Sequence, residues 1–186
     1  IFKFPFKTNY FEEDFYVSEN NFEAYKLIES WPKWSSRFIN IFGPSGCGKT
    51  HLANIFKKKI NSFLIKASEL NDNSLESIKS KECLIIDEYK NDIEEKLLYS
   101  ILNQSLLSNQ YIILNSSKPI QSLELKLNDL KSRFSSFVNI GIDLPTDELL
   151  KVIISKNFSD KQVIIDGKIL EYIIKNIDRS YEAVFD

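Results

Sequence analysis

The stretch RFINIFGPSGCGKT at residues 37–50 decides the fold of this chain. Its first six residues are a short apolar run typical of a buried β-strand, and its last eight fit the pattern G-x-x-x-x-G-K-[S/T]. In that pattern the glycines let consecutive backbone N–H groups turn inward, where they and the start of the following helix surround a phosphate group. A chance glycine-rich turn is a poor alternative, because strand, loop and helix occur in the required order.

The loop within this stretch carries the residues expected to hold a nucleotide. Lys49 is placed to reach the β- and γ-phosphates, and the hydroxyl of Thr50 is expected to bind Mg²⁺. His51 follows in the first turn of the helix, where packing or capping is favoured over catalysis because no acidic or nucleophilic partner is evident. The predicted nucleotide-binding residues of the loop are Pro44, Ser45, Gly46, Cys47, Gly48, Lys49, Thr50 and His51.

Apolar runs of strand length recur along the chain and alternate with stretches of helical periodicity. This alternation predicts an α/β fold in which a parallel five-stranded sheet is flanked by helices. The strands are expected at residues 37–42, 62–66, 83–86, 111–114 and 137–142, and the intervening helices at 20–31, 50–60, 75–80 and 93–107.

The pattern changes after the fifth predicted strand, because strand signals end there except for the short run at 163–165. Thr146 and Asp166 can each cap a helix, and a third helix is expected to begin near Arg179. We therefore expect residues 143–186 to form a small all-helical lid whose last helix is cut short at the end of the chain.

An acidic pair, Asp87 and Glu88, ends the predicted strand at 83–86. Ligands of open α/β sheets bind at the edge formed by the carboxyl ends of the strands. Asp87 is therefore expected to hold Mg²⁺ through water, together with Thr50, and Glu88 to orient the attacking water. A solvated acidic turn is the alternative, and it is disfavoured because the glycine-rich loop ends at the same edge.

Two further polar features lie near the expected edge of the sheet. Arg133, in LKSRF at 130–134, can act as a γ-phosphate sensor across a subunit boundary, and an ordinary surface arginine is an equal alternative. The run NSSKP at 115–119 follows the fourth strand, where a polar side chain can meet the γ-phosphate or the water. For Ser117 an ordinary turn before the proline is favoured.

Composition excludes several classes of protein. Of the 186 residues 43% are hydrophobic, which leaves enough apolar material for a core and rules out wholesale disorder. The net charge of −2 disfavours broad electrostatic binding of DNA. Two cysteines and one histidine are too few for a disulfide framework or a histidine-rich metal site. Without a membrane-spanning run or a secretory leader, we expect a cytoplasmic protein, and because the chain starts at Ile1 and lacks methionine, we expect the native start upstream.

Taken together, these motifs resemble the AAA+ ATPases of the bacterial replication initiator DnaA. The loop continues as GKTHL at 48–52, and LKSRF at 130–134 resembles the stretch around the arginine finger of that family. Phe15-Tyr16-Val17 match the segment that lines the adenine pocket, so the resemblance adds Tyr16 and Val17 to the nucleotide-binding residues. It implies an AAA+ P-loop NTPase with ATP or ADP and Mg²⁺ as cofactors, and the catalytic residues Asp87, Glu88 and Arg133.

The short connection between the second and third strands, and the lack of a basic helix-turn-helix, make the chain similar to the Hda-type regulators of that initiator. Members of that group carry an N-terminal peptide that docks on the sliding clamp, and FKFPF at residues 2–6 matches its shape. The lid arginine of the family aligns with Glu182, which leads us to expect weak or no intrinsic ATPase activity. The resemblance implies a segment 1–19 with the clamp-binding residues Phe2, Phe4, Pro5 and Phe6, followed by an AAA+ domain at 20–142. An aromatic segment folded back on the core is the alternative for that peptide.

The function implied by the resemblance is that of a nucleotide-bound regulator in the bacterial cytoplasm. Tethered to the sliding clamp on DNA, the chain would promote hydrolysis of ATP on DnaA through Arg133 and so limit the initiation of replication. Its partners would be DnaA, the clamp, DNA indirectly through the clamp, and a second copy of the chain, but not a membrane. Two alternatives stay open: a DnaC/IstB-like helicase-loader ATPase, which shares GKTHL, and a non-hydrolysing adaptor of the replication machinery.

Overall fold

Five parallel strands form the centre of the chain in the computed structural model, which describes residues 12–185 apart from the side chains of Glu13, Glu182 and Phe185. The strands lie in the order β2-β3-β4-β1-β5, and every neighbouring pair is parallel. The predicted parallel five-stranded sheet is therefore confirmed. The strands are β1 (Phe38–Phe42), β2 (Ser62–Lys66), β3 (Cys83–Tyr89), β4 (Tyr111–Ser116) and β5 (Val138–Gly141).

The sheet is covered on both faces, because the central strands β3 and β4 each begin with four apolar residues. Successive side chains on a strand point to opposite faces and so join different cores. On β4, Ile112 and Leu114 belong to one core, and Ile113 belongs to the other. On β3, Leu84 and Ile86 share the first of these cores. The chain therefore has three layers, with the sheet in the middle.

Helices form the two outer layers. α1 (Phe22–Glu29) and α2 (Lys49–Lys59) pack on one face, and α3 (Ser74–Lys79), α4 (Glu95–Leu107) and α5 (Asn128–Phe134) pack on the other. The first four of these helices confirm the predicted ones. α5 was not predicted, because its seven residues place only Leu130 and Phe134 in the core and no side chain caps its start.

Three further helices follow the sheet: α6 (Asp147–Asp160), α7 (Gly167–Asn176) and α8 (Tyr181–Phe185). As predicted, the side chains of Thr146 and Asp166 cap α6 and α7 by accepting a backbone N–H in the first turn. A small separate core joins the three helices, and the run at 163–165 is not a strand. Among the described helices, none combines the length and the apolarity needed to cross a membrane.

Candidate nucleotide-binding site

The glycine-rich loop, residues 43–48, joins the end of β1 to the start of α2. Gly46 (φ +73°) and Gly48 (φ +101°) lie in the left-handed region, which residues with a Cβ rarely adopt. A Cβ on Gly46 would also come within 2.5 Å of the Cβ of Ser180. The loop therefore needs glycine both for its backbone conformation and for the close approach of a neighbouring segment.

Lys49, the first residue of α2, folds its ammonium group back over the loop. Its Nζ donates to the carbonyl oxygens of Gly43 at 2.7 Å and of Pro44 at 2.8 Å. These acceptors are neutral, so a phosphate oxygen in their place would form a stronger, charge-assisted hydrogen bond. Cys47 is fully buried behind the loop, and burial raises the pKa of its thiol. Pro44 and Ser45 are exposed at the tip of the loop.

A β-bulge at the end of β3 separates the two predicted catalytic carboxylates. The register between β3 and β4 shifts between Ile86 and Tyr89, and Glu88 has a positive φ of 58°. Asp87 is consequently buried, with 2% of its surface exposed, whereas Glu88 is exposed and forms an ion pair with Lys66 of β2 at 2.7 Å. Bulges re-aim side chains in this way. The structure thus brings Asp87 to the loop and leaves Glu88 in a surface ion pair.

Asp87 links the start of α2 to the end of β4 through two hydrogen bonds. Its Oδ2 accepts from Oγ1 of Thr50 at 2.8 Å, and its Oδ1 accepts from Nδ2 of Asn115 at 2.9 Å. Nδ2 of Asn115 also donates to the carbonyl oxygen of Lys49 at 3.3 Å. Thr50 and Asp87, the two residues predicted to bind Mg²⁺, therefore lie in direct contact.

Asn115 belongs to this site, although the sequence analysis named it only as the first residue of a polar run. Its side chain is fully buried, and its Oδ1 has no hydrogen-bond partner within the described part of the chain. Most buried polar atoms are hydrogen-bonded, so an exception beside a glycine-rich loop is expected where a ligand or its water completes the site. The signal in the sequence was the change from the apolar YIIL to the polar NSS at the end of β4.

Aromatic side chains cover the loop on the side of α1. Phe15 is buried, its ring packs edge-on against that of His51 with 5.4 Å between centroids, and it also stacks on Tyr25. The Phe15 ring lies 3.4 Å from the position that a Cβ on Gly48 would take. His51 thus makes the packing contact that its position predicted.

Tyr16 and Val17 are the residues predicted to line the adenine pocket, and Tyr16 lies beside α6. Nζ of Lys156 in α6 lies 5.5 Å from the centroid of the Tyr16 ring and donates to Asp14 at 2.6 Å. The hydrogen bond to Asp14 raises the pKa of Lys156. Asn21, a buried residue, donates to the carbonyl oxygen of Tyr16 at 2.9 Å, and Val17 is exposed. The segment is therefore held between Asn21 and α6.

Arg133 lies apart from these groups, in the last turn of α5. Its Nε donates to Oδ1 of Asn103 in α4 at 2.9 Å, and the side chain is half-buried. Leu130 and Phe134 anchor α5 in the core on the α4 side of the sheet. Cys47 of the glycine-rich loop lies in the core on the opposite side. The structure therefore does not place Arg133 with Lys49, Thr50 and Asp87.

The donor set at the loop fits a magnesium ion. Residues 12–185 contain no group of three or more His, Cys, Asp or Glu side chains that would hold a metal ion by themselves. Mg²⁺ needs few protein ligands, since it usually binds one or two protein oxygens and completes its shell with water and substrate phosphates. The pair of Thr50 and Asp87 supplies oxygens of that kind. The predicted partner-binding residues Phe2, Phe4, Pro5 and Phe6 lie outside the described residues.

The sequence of this chain is similar to a known protein family and to curated proteins. The family model described as RNA helicase matches residues 39–137, which is more than half of the chain. The chromosomal replication initiator protein DnaA of Spiroplasma citri is 28% identical in an alignment that covers 91% of this chain and 45% of the initiator. The chain therefore spans less than half the length of the curated relatives it matches.

Solved structures share the same fold. The structure described as replication initiator DnaA bound to AMPPCP and single-stranded DNA matches with a TM-score of 0.77 at 22% identity, covering 95% of this chain and 62% of that one. The RuvB Holliday junction branch migration motor of Thermotoga maritima matches with a TM-score of 0.61 at 27% identity, covering 79% and 51%. The fold is therefore that of the AAA+ P-loop NTPases. The chain belongs to the family described as RNA helicase and is a DnaA-like member of the AAA+ proteins.

Proposed function

We propose that this chain is an adenine-nucleotide-binding regulator that promotes the hydrolysis of ATP bound to a DnaA-type replication initiator. The placement of Arg133 carries this proposal: its side chain donates a hydrogen bond to Asn103, and its helix α5 packs on the face of the sheet opposite the core that contains Cys47 of the glycine-rich loop. In this proposal the arginine would serve a γ-phosphate on another protein. Arginine fingers supplied in this way accelerate phosphoryl transfer by about 10³–10⁵-fold.

The nucleotide of the chain itself would bind on the glycine-rich loop. Lys49 and the backbone N–H groups of residues 45–50 would hold the phosphates, with Tyr16 and Val17 beside the base. Thr50 and Asp87 would hold Mg²⁺, which neutralises phosphate charge. The likeness to a DnaA structure bound to AMPPCP supports an adenine nucleotide. In this proposal residues 20–142 form the nucleotide-binding domain, and residues 143–186 form its lid.

Glu88 would contribute little to hydrolysis by the chain alone. Its surface ion pair with Lys66 would have to open before its carboxylate could orient a water molecule beside Asp87. We therefore propose weak intrinsic turnover, with the chain resting on ADP and acting on the nucleotide of its partner.

The N-terminal segment, residues 1–19, would tether the chain to the sliding clamp on DNA through Phe2, Phe4, Pro5 and Phe6. Attachment of two proteins to the same clamp raises the effective concentration of one for the other, to about millimolar values where the link is short. Weak contacts between this chain and the initiator would then be sufficient on the clamp and insufficient elsewhere.

Turnover of ATP by the initiator on clamp-loaded DNA tests the proposal. The wild-type chain should raise that turnover. The turnover stimulated by Arg133→Ala should be lower than that stimulated by the wild type by about 10³-fold or more. Lys131→Ala, which changes an exposed cation on the same helix, is the matched control and should retain it. Equal turnover with the wild type and Arg133→Ala would show that the arginine has no such role.

Capture on immobilised sliding clamp tests the tether separately. The intact chain should bind, and a chain that lacks residues 1–6 should not. For a helicase loader of the DnaC/IstB type, deletion of residues 1–6 would not change binding. Such a loader would instead bind the replicative helicase when ATP is present. Equal capture of the two chains would therefore contradict the tether.

A further inference from the structure

The start of α8 touches the glycine-rich loop directly. The backbone N–H of Tyr181, the first residue of α8, donates to the carbonyl oxygen of Gly46 at 2.9 Å. The preceding residue, Ser180, approaches so closely that a side chain on Gly46 would collide with it. The conformation of the loop is therefore supported from the lid as well as from β1 and α2.

The side chain of Tyr181 packs into the same region. Its ring lies 3.4 Å from the position that a Cβ on Gly48 would take, and its hydroxyl accepts from Nδ2 of Asn21 at 3.4 Å. Burial raises the pKa of Tyr181 to about 12. A single residue thus joins the lid to the loop and to the segment that precedes α1.

The direction of the hydrogen bond to Gly46 bears on phosphate binding. A loop that turns consecutive N–H groups toward an anion must turn carbonyl groups away from it. A carbonyl oxygen that is covered by another segment needs a donor, and the N–H of Tyr181 supplies it. Because glycine has access to many backbone conformations, such a bond selects one conformation of Gly46 among several.

We infer that Tyr181 is a positioning residue for nucleotide binding, whose backbone N–H latches the glycine-rich loop in its phosphate-binding conformation and so couples the lid to the loop. The inference rests on the proposed binding of a nucleotide by this loop, and it does not depend on the clamp or the initiator. Loss of the latch would weaken the binding of nucleotides that have a β-phosphate, and it would leave the fold in place.

Two substitutions at Tyr181 distinguish the contribution of its backbone N–H to nucleotide binding from that of its ring. Tyr181→Ala and Tyr181→Pro both remove the ring, but only the proline removes the N–H. Proline is well tolerated at the first position of a helix. Ser180, whose Oγ caps α8 by accepting from the N–H of Ala183 at 3.1 Å, is unchanged in both variants. The pair therefore isolates one hydrogen bond.

Affinity for ADP, measured by calorimetry on the purified chain, should be about twofold to tenfold lower for Tyr181→Pro than for Tyr181→Ala, which is the range for one neutral hydrogen bond. Affinity for AMP, which has no β-phosphate, should be the same for both variants. Equal affinities for ADP would overturn the latch. An equal loss for ADP and AMP would also overturn it, because that result indicates a general defect of the lid.

Hydrogen exchange in the wild-type chain gives a second measurement if the proline variant does not fold. ADP should slow exchange in the loop at 43–48 and at Tyr181 together. Slowing in the loop alone would overturn the latch and leave the proposed function intact. A wild-type chain that bound no ADP would overturn both the latch and the nucleotide-binding part of the proposed function.

Discussion

Asn103 and Arg133 join α4 to α5 through a hydrogen bond of 2.9 Å between Oδ1 and Nε. Within residues 12–185 it is the one hydrogen bond made by the Arg133 side chain, so in the proposed function the terminal nitrogens of the guanidinium would be available to a phosphate. A long side chain that is fixed at one point loses less conformational entropy when it reaches its target. The hydrogen bond to Asn103 therefore restricts the conformation of the Arg133 side chain before it acts in the proposed role.

We expect Asn103→Ala to lower the stimulated ATP turnover of the initiator by about tenfold, because a hydrogen bond to a charged group contributes roughly 1.5–3 kcal/mol. The loss should appear in the maximal rate, with the half-saturating concentration of the chain unchanged. Asn128→Ala, an exposed asparagine at the start of α5, is the control. If Asn103→Ala stimulates as well as the wild type, Asn103 does not position the arginine.

Asn115→Leu should lower the free energy of unfolding by about 1–3 kcal/mol. The substitution keeps the number and branching of the side-chain heavy atoms but removes the donor that Asp87 and the carbonyl oxygen of Lys49 share, which leaves Oδ1 of the buried Asp87 with the backbone N–H of Glu88 as its remaining donor. Urea unfolding measures the change. Ser117→Ala, at an exposed position after β4, should have no effect. Unchanged stability in Asn115→Leu would mean that this contact is not needed to hold Asp87.

Thr50→Val should weaken the dependence of the ADP affinity on Mg²⁺, because the valine has no oxygen to offer the ion and Asp87 remains as the one protein ligand of the proposed pair. Thr50→Ser keeps the hydroxyl and should retain the dependence. Titrations with Mg²⁺ and with EDTA give the comparison. If the ADP affinity of Thr50→Val rose with Mg²⁺ as steeply as that of the wild type, Thr50 would not be a ligand of the metal.

Lys49→Ala should abolish measurable binding of ADP, since the lysine supplies the charge closest to the phosphates. Lys57→Ala, an exposed lysine in the last turn of the same helix, is the matched control. Both variants should unfold at nearly the temperature of the wild type, because within residues 12–185 the ammonium of Lys49 hydrogen-bonds only to neutral carbonyl groups in the loop and a thiol. Retained binding in Lys49→Ala would argue against a phosphate site on this loop.

Glu95 should make stability depend on pH in the acid range. Its carboxylate accepts the backbone N–H groups of Lys126 and Leu127, ahead of α5, and these hydrogen bonds lower the pKa of Glu95 in the folded state. The stabilisation is therefore complete above the pKa of the unfolded chain and is lost as the pH falls through the lower folded-state pKa.

The free energy of unfolding of the wild type should consequently exceed that of Glu95→Ala at neutral pH. This difference in free energy should decrease as the pH is lowered. Glu94→Ala, at the exposed neighbouring position, is the control and should show no such gap. A gap of constant size from neutral to acid pH would show that the contribution of Glu95 is not electrostatic.

The sheet and the glycine-rich loop could be predicted from sequence because their signals are local. An apolar run such as Cys83–Ile86 favours a buried strand, and the glycines between β1 and α2 mark a turn that other residues rarely adopt. The caps at Thr146 and Asp166 are equally local and were predicted for the same reason. α5 was missed because two apolar residues in seven carry too little periodicity.

The sequence by itself therefore determined the fold class, the order of its elements and the loop that would hold a phosphate. Only the tertiary structure decided which polar side chains share the site. The bulge in β3 separated Glu88 from Asp87, and Asn115 reached Asp87 from a different strand. Tyr181 reached Gly46 from the far end of the chain. Such contacts join residues that are distant in sequence, and the relative placement of strands and helices sets them, which no local pattern of residues encodes.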